Sequence, residues 1–416
     1  MRTAFTPEQL ADPEIAASAG AIRKCVHCGF CTATCPTYVL LGDERDSPRG
    51  RIELIREMLE TGGPPPAGTV THIDRCLSCL ACVTTCPSGV DYAQLIDHAR
   101  AHIETHHRRP WPERMLRGAL ARILPYPRRL EWALRVGRLA RPLEPILERV
   151  GLKPLAAMLR LAPAAAVSSP RATPVPVPSP RGRVVLLKGC VESALAPHVR
   201  AAAIRLLARI GYEVVEVPGE GCCGALSEHL GRAKDARRMA HENLAAWDGL
   251  SDIDAVVTTA AGCGTMLKAY GRLAGRPVVA RDILEFVAEA GLPPPVAGAG
   301  LAVTYHAACS LQHGQQIKAQ PIALLREAGF DVRLVAEGHL CCGSAGVYNI
   351  LQPELATRLR DRKAANINAA GGVVVAAGNI GCITQLAPVL DAPIVHPVEL
   401  LDWAMGGPKP QSLHTA

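Results

Sequence analysis

Residues 25–36 read CVHCGFCTATCP and residues 76–87 read CLSCLACVTTCP. Cys25, Cys28, Cys31 and Cys35 stand in C-x2-C-x2-C-x3-C order before Pro36, and Cys76, Cys79, Cys82 and Cys86 repeat that order before Pro87. Three thiols spaced two residues apart wrap one face of a cluster in a short turn, so the fourth ligand must come from elsewhere. In the bacterial two-cluster pattern this spacing serves two [4Fe-4S] clusters, and the fourth Cys of each run ligates the other run's cluster. The expectation is one cluster on Cys25, Cys28, Cys31 and Cys86, and a second on Cys76, Cys79, Cys82 and Cys35. Zinc knuckles use two C-x2-C pairs per ion, which neither run supplies. The implied task is electron transfer.

The remaining composition is that of an ordinary folded chain: 416 residues, 49% hydrophobic and 20% charged, enough for two or three domains. The opening MRTAFTPEQLADPEIAAS has neither a basic n-region nor an apolar h-region, so a reducing, cytoplasmic setting is expected for the sixteen Cys. Clustered cysteine there means metal, not disulfide. Residues 364–390 carry no charge, but Asn, Gly, Gln and Pro interrupt them, and a strand, a turn and a buried helix start are expected rather than a membrane span. Gly298-x-Gly300 precedes a strand instead of following one, so it is no dinucleotide fingerprint, and no P-loop or flavin motif is visible. A chain with cluster sites and no organic cofactor site is a relay, dependent on a partner that takes electrons from substrate. Nucleic acid is not expected as a partner, since aromatics are 4% of residues and no reading module is present.

The pattern along the chain predicts an α+β multidomain protein. Residues 1–110 form a mainly helical, ferredoxin-like domain for two [4Fe-4S] clusters, with a helix over 47–59 where Ile52, Ile55, Met58 and Leu59 recur at helical spacing. Residues 111–162 form basic amphipathic helices, with eleven Lys and Arg against four acids, about the whole chain's excess of +7. They are read as a solvated face or as a contact with anionic lipid or a partner. Residues 163–181 form a Pro-rich linker.

Residues 182–295 and 296–416 are a duplication. Cys190, Cys222, Cys223 and Cys263 return as Cys309, Cys341, Cys342 and Cys382, each 119 residues further on, while Gly211 and Gly329 are 118 apart. Each half reads as strand, helix, strand, Cys-Cys-Gly, helix, and a third strand ending in Cys, which predicts parallel α/β units with thiols at the carboxyl ends of strands. Gly224 and Gly343 permit the backbone turn that aims two adjacent thiols into one pocket. Four thiols per repeat are expected to converge. They stand as ligands of a further iron–sulfur cluster or zinc, as buried structural thiols, or as redox-active thiols. His306, three before Cys309, and His339, two before Cys341, could tune or ligate a cluster but are read first as hydrogen-bonded structural groups, and His27, between two cluster cysteines, as hydrogen-bonding near the sulfurs or facing solvent.

The stretches CVHCGFCTATCPTYVLLGDERDSPRGRIELI, CLSCLACVTTCPSGVDY, GCCGALSEHL and HLCCGSAGVYNILQPELATRLRDRKAANI resemble the iron–sulfur subunit of bacterial glycolate oxidase, over nearly the whole chain and least over 111–180 and after Trp403. The resemblance implies a complex at the cytoplasmic face of the inner membrane. In it, separate FAD-binding subunits oxidise glycolate to glyoxylate and this chain passes electrons toward a quinone. It implies that the eight cysteines of the first two runs ligate two [4Fe-4S] clusters, with no flavin on this chain and no activity of the chain alone. Subunits of lactate- and glycerol-3-phosphate-oxidising complexes and of heterodisulfide reductase share the Cys-Cys-Gly repeat, so those substrates, or thiol–disulfide chemistry, are the alternative. In the heterodisulfide relatives the repeat ends in C-x-x-C, whereas here Met266 and Gln385 take the last place.

Overall fold

The structure, a computed structural model, describes residues 1–163 and 175–414. Most of the linker expected at 163–181 falls outside the described residues. The amino-terminal region is all helical. Ser47 accepts a hydrogen bond from the Gly50 N–H and so caps the helix Pro48–Thr61, which Gly62 ends at a positive φ of 73°. Its apolar stripe, Ile52, Ile55 and Leu59, packs on Ile22 of Pro13–Lys24 and on Leu95, Ile96 and Ile103 of Tyr92–His106. The helix expected from spacing is present, starting one residue later and ending two residues later.

The carboxyl half holds two four-stranded sheets, all parallel. Strands β1 (Gly182–Leu186), β2 (Tyr212–Val215), β3 (Ala255–Thr258) and β4 (Ala280–Asp282) lie in the order β2-β1-β3-β4. Strands β5 (Ala302–His306), β6 (Asp331–Leu334), β7 (Val374–Ala377) and β8 (Ile394–Val395) repeat it as β6-β5-β7-β8. Val185 sits between Val215 and Val256, and Tyr305 between Leu334 and Ala376. Each sheet has one strand more than the sequence reading supplied, because β4 and β8 are only three and two residues long. A second difference concerns Cys263 and Cys382. They do not end strands, but lie in the first turn of the helices Ala261–Lys268 and Ile380–Leu386 that leave β3 and β7.

The repeats share one core, in which Val184 and Val257 of the first pack with Val303, Tyr305 and Val375 of the second. Buried Asp402 accepts hydrogen bonds from Arg205 and Arg209 across the junction. The basic segment forms the helices Trp111–Ile123, Pro127–Ala140, Glu144–Arg149 and Lys153–Leu161. Leu120 and Ala121 pack on Leu230 of the first repeat and on Val347 and Ile350 of the second, so the segment straps both. No described helix is long and apolar enough to cross a membrane.

Candidate iron–sulfur and thiol sites

The two cysteine runs fold into the same turn. His27 and Gly29 in the first, and Ser78 and Leu80 in the second, adopt left-handed backbone, and the helices Phe30–Thr34 and Ala81–Thr85 follow. Leu80, at a φ of 61°, holds a left-handed conformation that costs a side chain about 1 kcal/mol.

Cys25, Cys28, Cys31 and Cys86 line one cavity, together with Cys82. Cys35, Cys76, Cys79 and Cys82 line another. Each cavity thus gathers three thiols of one run and the fourth thiol of the other, with Cys82 on the wall of both. The first cavity opens at the surface, where Cys28 and His27 are exposed beside Val26 and Phe30. The second is interior.

Every cysteine described is a free thiol. Burial pushes the Cys31 thiol up to about 11, and burial pushes Cys79 and Cys82 well above their ordinary range, with neighbouring thiols adding to it. Buried sulfurs in groups of four ionise together only against a compensating cation, and iron supplies one. The donor set therefore fits iron–sulfur clusters.

Around the second cavity the sequence hides a charged frame. Arg51, 1% exposed, donates through Nε to the His72 carbonyl (2.7 Å), through Nη2 to Thr37 (3.0 Å) and Asp46 (3.2 Å), and reaches the Cys35 sulfur at 3.8 Å. Asp46, fully buried, also pairs with Arg75 and His72. Burial opposes the charge on Arg51, yet thiols of Cys76 and Cys35 and the Asp46 carboxylate together raise its pKa. The Tyr92 hydroxyl lies 3.8 Å from the Cys76 sulfur. Helical periodicity marks Ile52 and Ile55 but gives no sign that Arg51 turns inward.

The other eight thiols form one site where two were expected. Cys190, Cys222, Cys223 and Cys263 of the first repeat and Cys309, Cys341, Cys342 and Cys382 of the second all line a single cavity of about 160 Å³ at the carboxyl edges of both sheets. Gly224 (φ 93°) and Gly343 (φ 85°) make the turn after each Cys pair, and a Cβ at Gly343 would lie 2.6 Å from the Ala356 carbonyl oxygen. Sulfurs approach to 3.4 Å for Cys190 and Cys222, 3.7 Å for Cys309 and Cys341, and 3.4 Å for Cys342 and Cys382. Hydrogen bonding with Cys190 and Cys223 holds the Cys222 thiol well below its ordinary range, and with Cys341 and Cys382 does the same for Cys342. Gln385 spends its amide on Asn349 and Ala356, and Met266 is core packing. His306 is buried against this site: among the described residues neither ring nitrogen meets ordinary hydrogen-bond geometry with a partner, and its imidazole adjoins the Cys342 thiol and helps hold that thiol low.

The three cavities adjoin. The first two share Pro48, Cys82 and Tyr92 as walls, and the second and third share Leu77 and Ser78. Cys79 packs in one apolar cluster with Cys341 and Cys309. Thr84 and His313, 2.8 Å apart, tie the second cysteine run to the second repeat.

A 4Fe-4S dicluster domain model matches residues 24–90, and a cysteine-rich domain model matches residues 184–268 and 303–387. The chain is 37% identical to the glycolate oxidase iron-sulfur subunit of Escherichia coli, covering 97% of this chain and 99% of the relative. It is 30% identical to the probable glycolate oxidase iron-sulfur subunit of Bacillus subtilis, over 88% of both. A lactate utilization protein A from an Exiguobacterium species is 25% identical over 53% of this chain and 95% of its own. With the first two similarities running through both cysteine systems, the chain belongs to the family of glycolate oxidase iron–sulfur subunits.

Proposed function

We propose that this chain is the electron-transfer subunit of a glycolate-oxidising complex, standing between flavin-carrying partners that convert glycolate to glyoxylate and a quinone acceptor. Family membership makes it an oxidoreductase subunit that carries iron–sulfur clusters. The observation that carries the finer reading is the adjoining series of thiol-lined cavities from surface to interior to the junction of the repeats. Cys25, Cys28, Cys31 and Cys86 are assigned one [4Fe-4S] cluster, and Cys76, Cys79, Cys82 and Cys35 a second; such clusters accept and release single electrons. The exposed face around Val26, Cys28 and Phe30 is the place of contact with the electron-donating partner. Arg51 places a fixed positive charge beside Cys35, which favours the reduced state of the second site.

The eight thiols between the repeats are assigned a metal centre at the far end of the series. The chain is taken to divide at residues 110, 162, 181 and 295, and to work on the cytoplasmic side of the inner membrane. Contact with anionic lipid is assigned to 111–162, where Trp111, Trp132, Val136 and Leu139 are exposed among exposed Arg128, Arg129 and Arg135. The test is reconstitution. Added to the flavin subunits, the chain is expected to restore glycolate-dependent quinone reduction; glycolate oxidation by the chain alone, with no flavoprotein present, overturns the assignment.

A further inference from the structure

The two repeats superpose their cysteines by sequence but not their surroundings. At the end of β5, His306 is 1% exposed, and the residue 119 places earlier is Leu187. Lys363, 2% exposed, stands where the first repeat has Leu244. Its ammonium donates to the Glu337 carbonyl at 2.6 Å. An imidazole and an ammonium have thus replaced two leucines inside one repeat only.

Burying an imidazole without a hydrogen-bond partner is costly, and among the described residues neither nitrogen of His306 meets ordinary hydrogen-bond geometry with any group, its polar neighbour being the Cys342 thiol. A ring nitrogen of His306 and the sulfurs of Cys342 and Cys382 all lie within 4.8 Å of one another. Bonds of about 2.3 Å to sulfur and 2.0 Å to nitrogen span tetrahedral edges of about 3.5–3.8 Å, and Cys342 and Cys382 are 3.4 Å apart. The fitting occupant of three such converging donors is a metal, because imidazole and thiolate are both ligands for zinc and iron. Two other histidines of this half are occupied: His396 sits 2.8 Å from the Thr259 carbonyl oxygen and His313 3.1 Å from that of His339.

We propose that His306 is the nitrogen ligand of a mixed imidazole–thiolate metal centre in the second repeat, with Cys342 and Cys382 as its sulfur ligands, and that the first repeat offers thiolates alone. This rests on the assignment of metal to the thiols between the repeats. It makes the halves of one cavity chemically unequal. Where the bound metal is iron, imidazole in place of thiolate raises the reduction potential, so the second repeat, the one packed against Cys79, is the better electron acceptor of the two.

The experiment uses the full chain purified without oxygen, as wild type, His306→Leu and His306→Cys. Iron and zinc are counted, and the metal present beyond the two clusters is examined by X-ray absorption at its edge, or by pulsed EPR with nitrogen-15 histidine if it is paramagnetic. One imidazole nitrogen is expected in the wild type. His306→Leu, which copies the first repeat, is expected to retain at least tenfold less metal in the second; His306→Cys restores the metal with sulfur only. Metal with no nitrogen ligand, or full retention and an unchanged spectrum in His306→Leu, overturns the role of His306 while the thiol assignment stands. A wild type with no metal beyond the two clusters overturns both.

Discussion

The two cysteine systems of this chain reach similar ends by opposite routes. In the amino-terminal region, eleven consecutive residues supply four thiols, and the turn that aims them is written locally in His27 and Gly29, then again in Ser78 and Leu80. In the carboxyl half, no two thiols except the Cys-Cys pairs are close in sequence, and they meet because strand ends, helix starts and two repeats converge. An amino-terminal site draws three thiols from one turn and needs one from the other run; a site coded in topology depends on the packing of both sheets.

Replacing Cys76 with Ser is expected to remove the second cluster, taking about half of the cluster iron and lowering electron transfer through the assembled complex by at least ~100-fold, measured by iron analysis and glycolate-dependent acceptor reduction. Retained iron and unimpaired transfer would show that the thiols of this run are not ligands. Replacing Cys222 or Cys341 is expected to leave that iron and its reduced EPR signals intact while removing metal from the cavity between the repeats. Loss of both signals together would erase the proposed independence of the two systems.

Arg51 tests the amino-terminal region from within. Arg51→Met leaves Asp46 buried with only Arg75 and His72 against it, and a loss of about 3 kcal/mol in urea unfolding is expected. It also lowers the reduction potential of the second site, because a positive charge beside Cys35 is gone. An unchanged potential with lowered stability would make Arg51 a packing group only.

The repeats also divide in their response to pH, through matching helix caps. Asp282 caps Ile283–Ala290 with Glu285, and His396 caps Pro397–Ala404 with Glu399. Burial pushes the Asp282 carboxyl up to about 7, and burial pushes His396 down to about 4. An acid that holds its proton more tightly when folded contributes stability at low pH that is lost as pH rises from about 4 through 7. A histidine that resists protonation when folded contributes stability above about 6.5 that is lost as pH falls toward 4. Asp282→Asn is therefore expected to gain about 2 kcal/mol relative to wild type at pH 8 and little at pH 4. Parallel unfolding curves at both pH values would contradict the buried, protonated carboxyl.

Smallest is the surface effect. Neutralising Arg128 and Arg129 together is expected to weaken binding to anionic vesicles several-fold at low salt, with no difference at high salt, where the wild type also releases. Equal binding by both proteins would move the strap's role from lipid to a protein surface.

What is legible in the sequence follows the same contrast. The ligand runs, the helix at Pro48–Thr61 and the duplication can be read because spacing and periodicity are local signals. The short strands β4 and β8 cannot, since three and two residues carry no period. The helical placement of Cys263 and Cys382 is masked by Gly262, Gly264 and Gly381, which weaken a helical pattern. That both repeats face one cavity is a matter of how two sheets dock, for which Asp402 with Arg205 and Arg209 gives no linear clue. Comparing the repeats position by position does reveal His306 and Lys363 against Leu187 and Leu244, a signal of asymmetry carried by the chain itself.

Iron and acid-labile sulfide analysis of the chain purified without oxygen, joined to EPR after reduction with dithionite, decides whether the amino-terminal thiols hold two clusters. At least about eight irons per chain and two interacting paramagnetic centres are expected from the cysteines at 25–35 and 76–86. Far fewer irons after careful reconstitution, or no signal on reduction, would contradict the two-cluster relay.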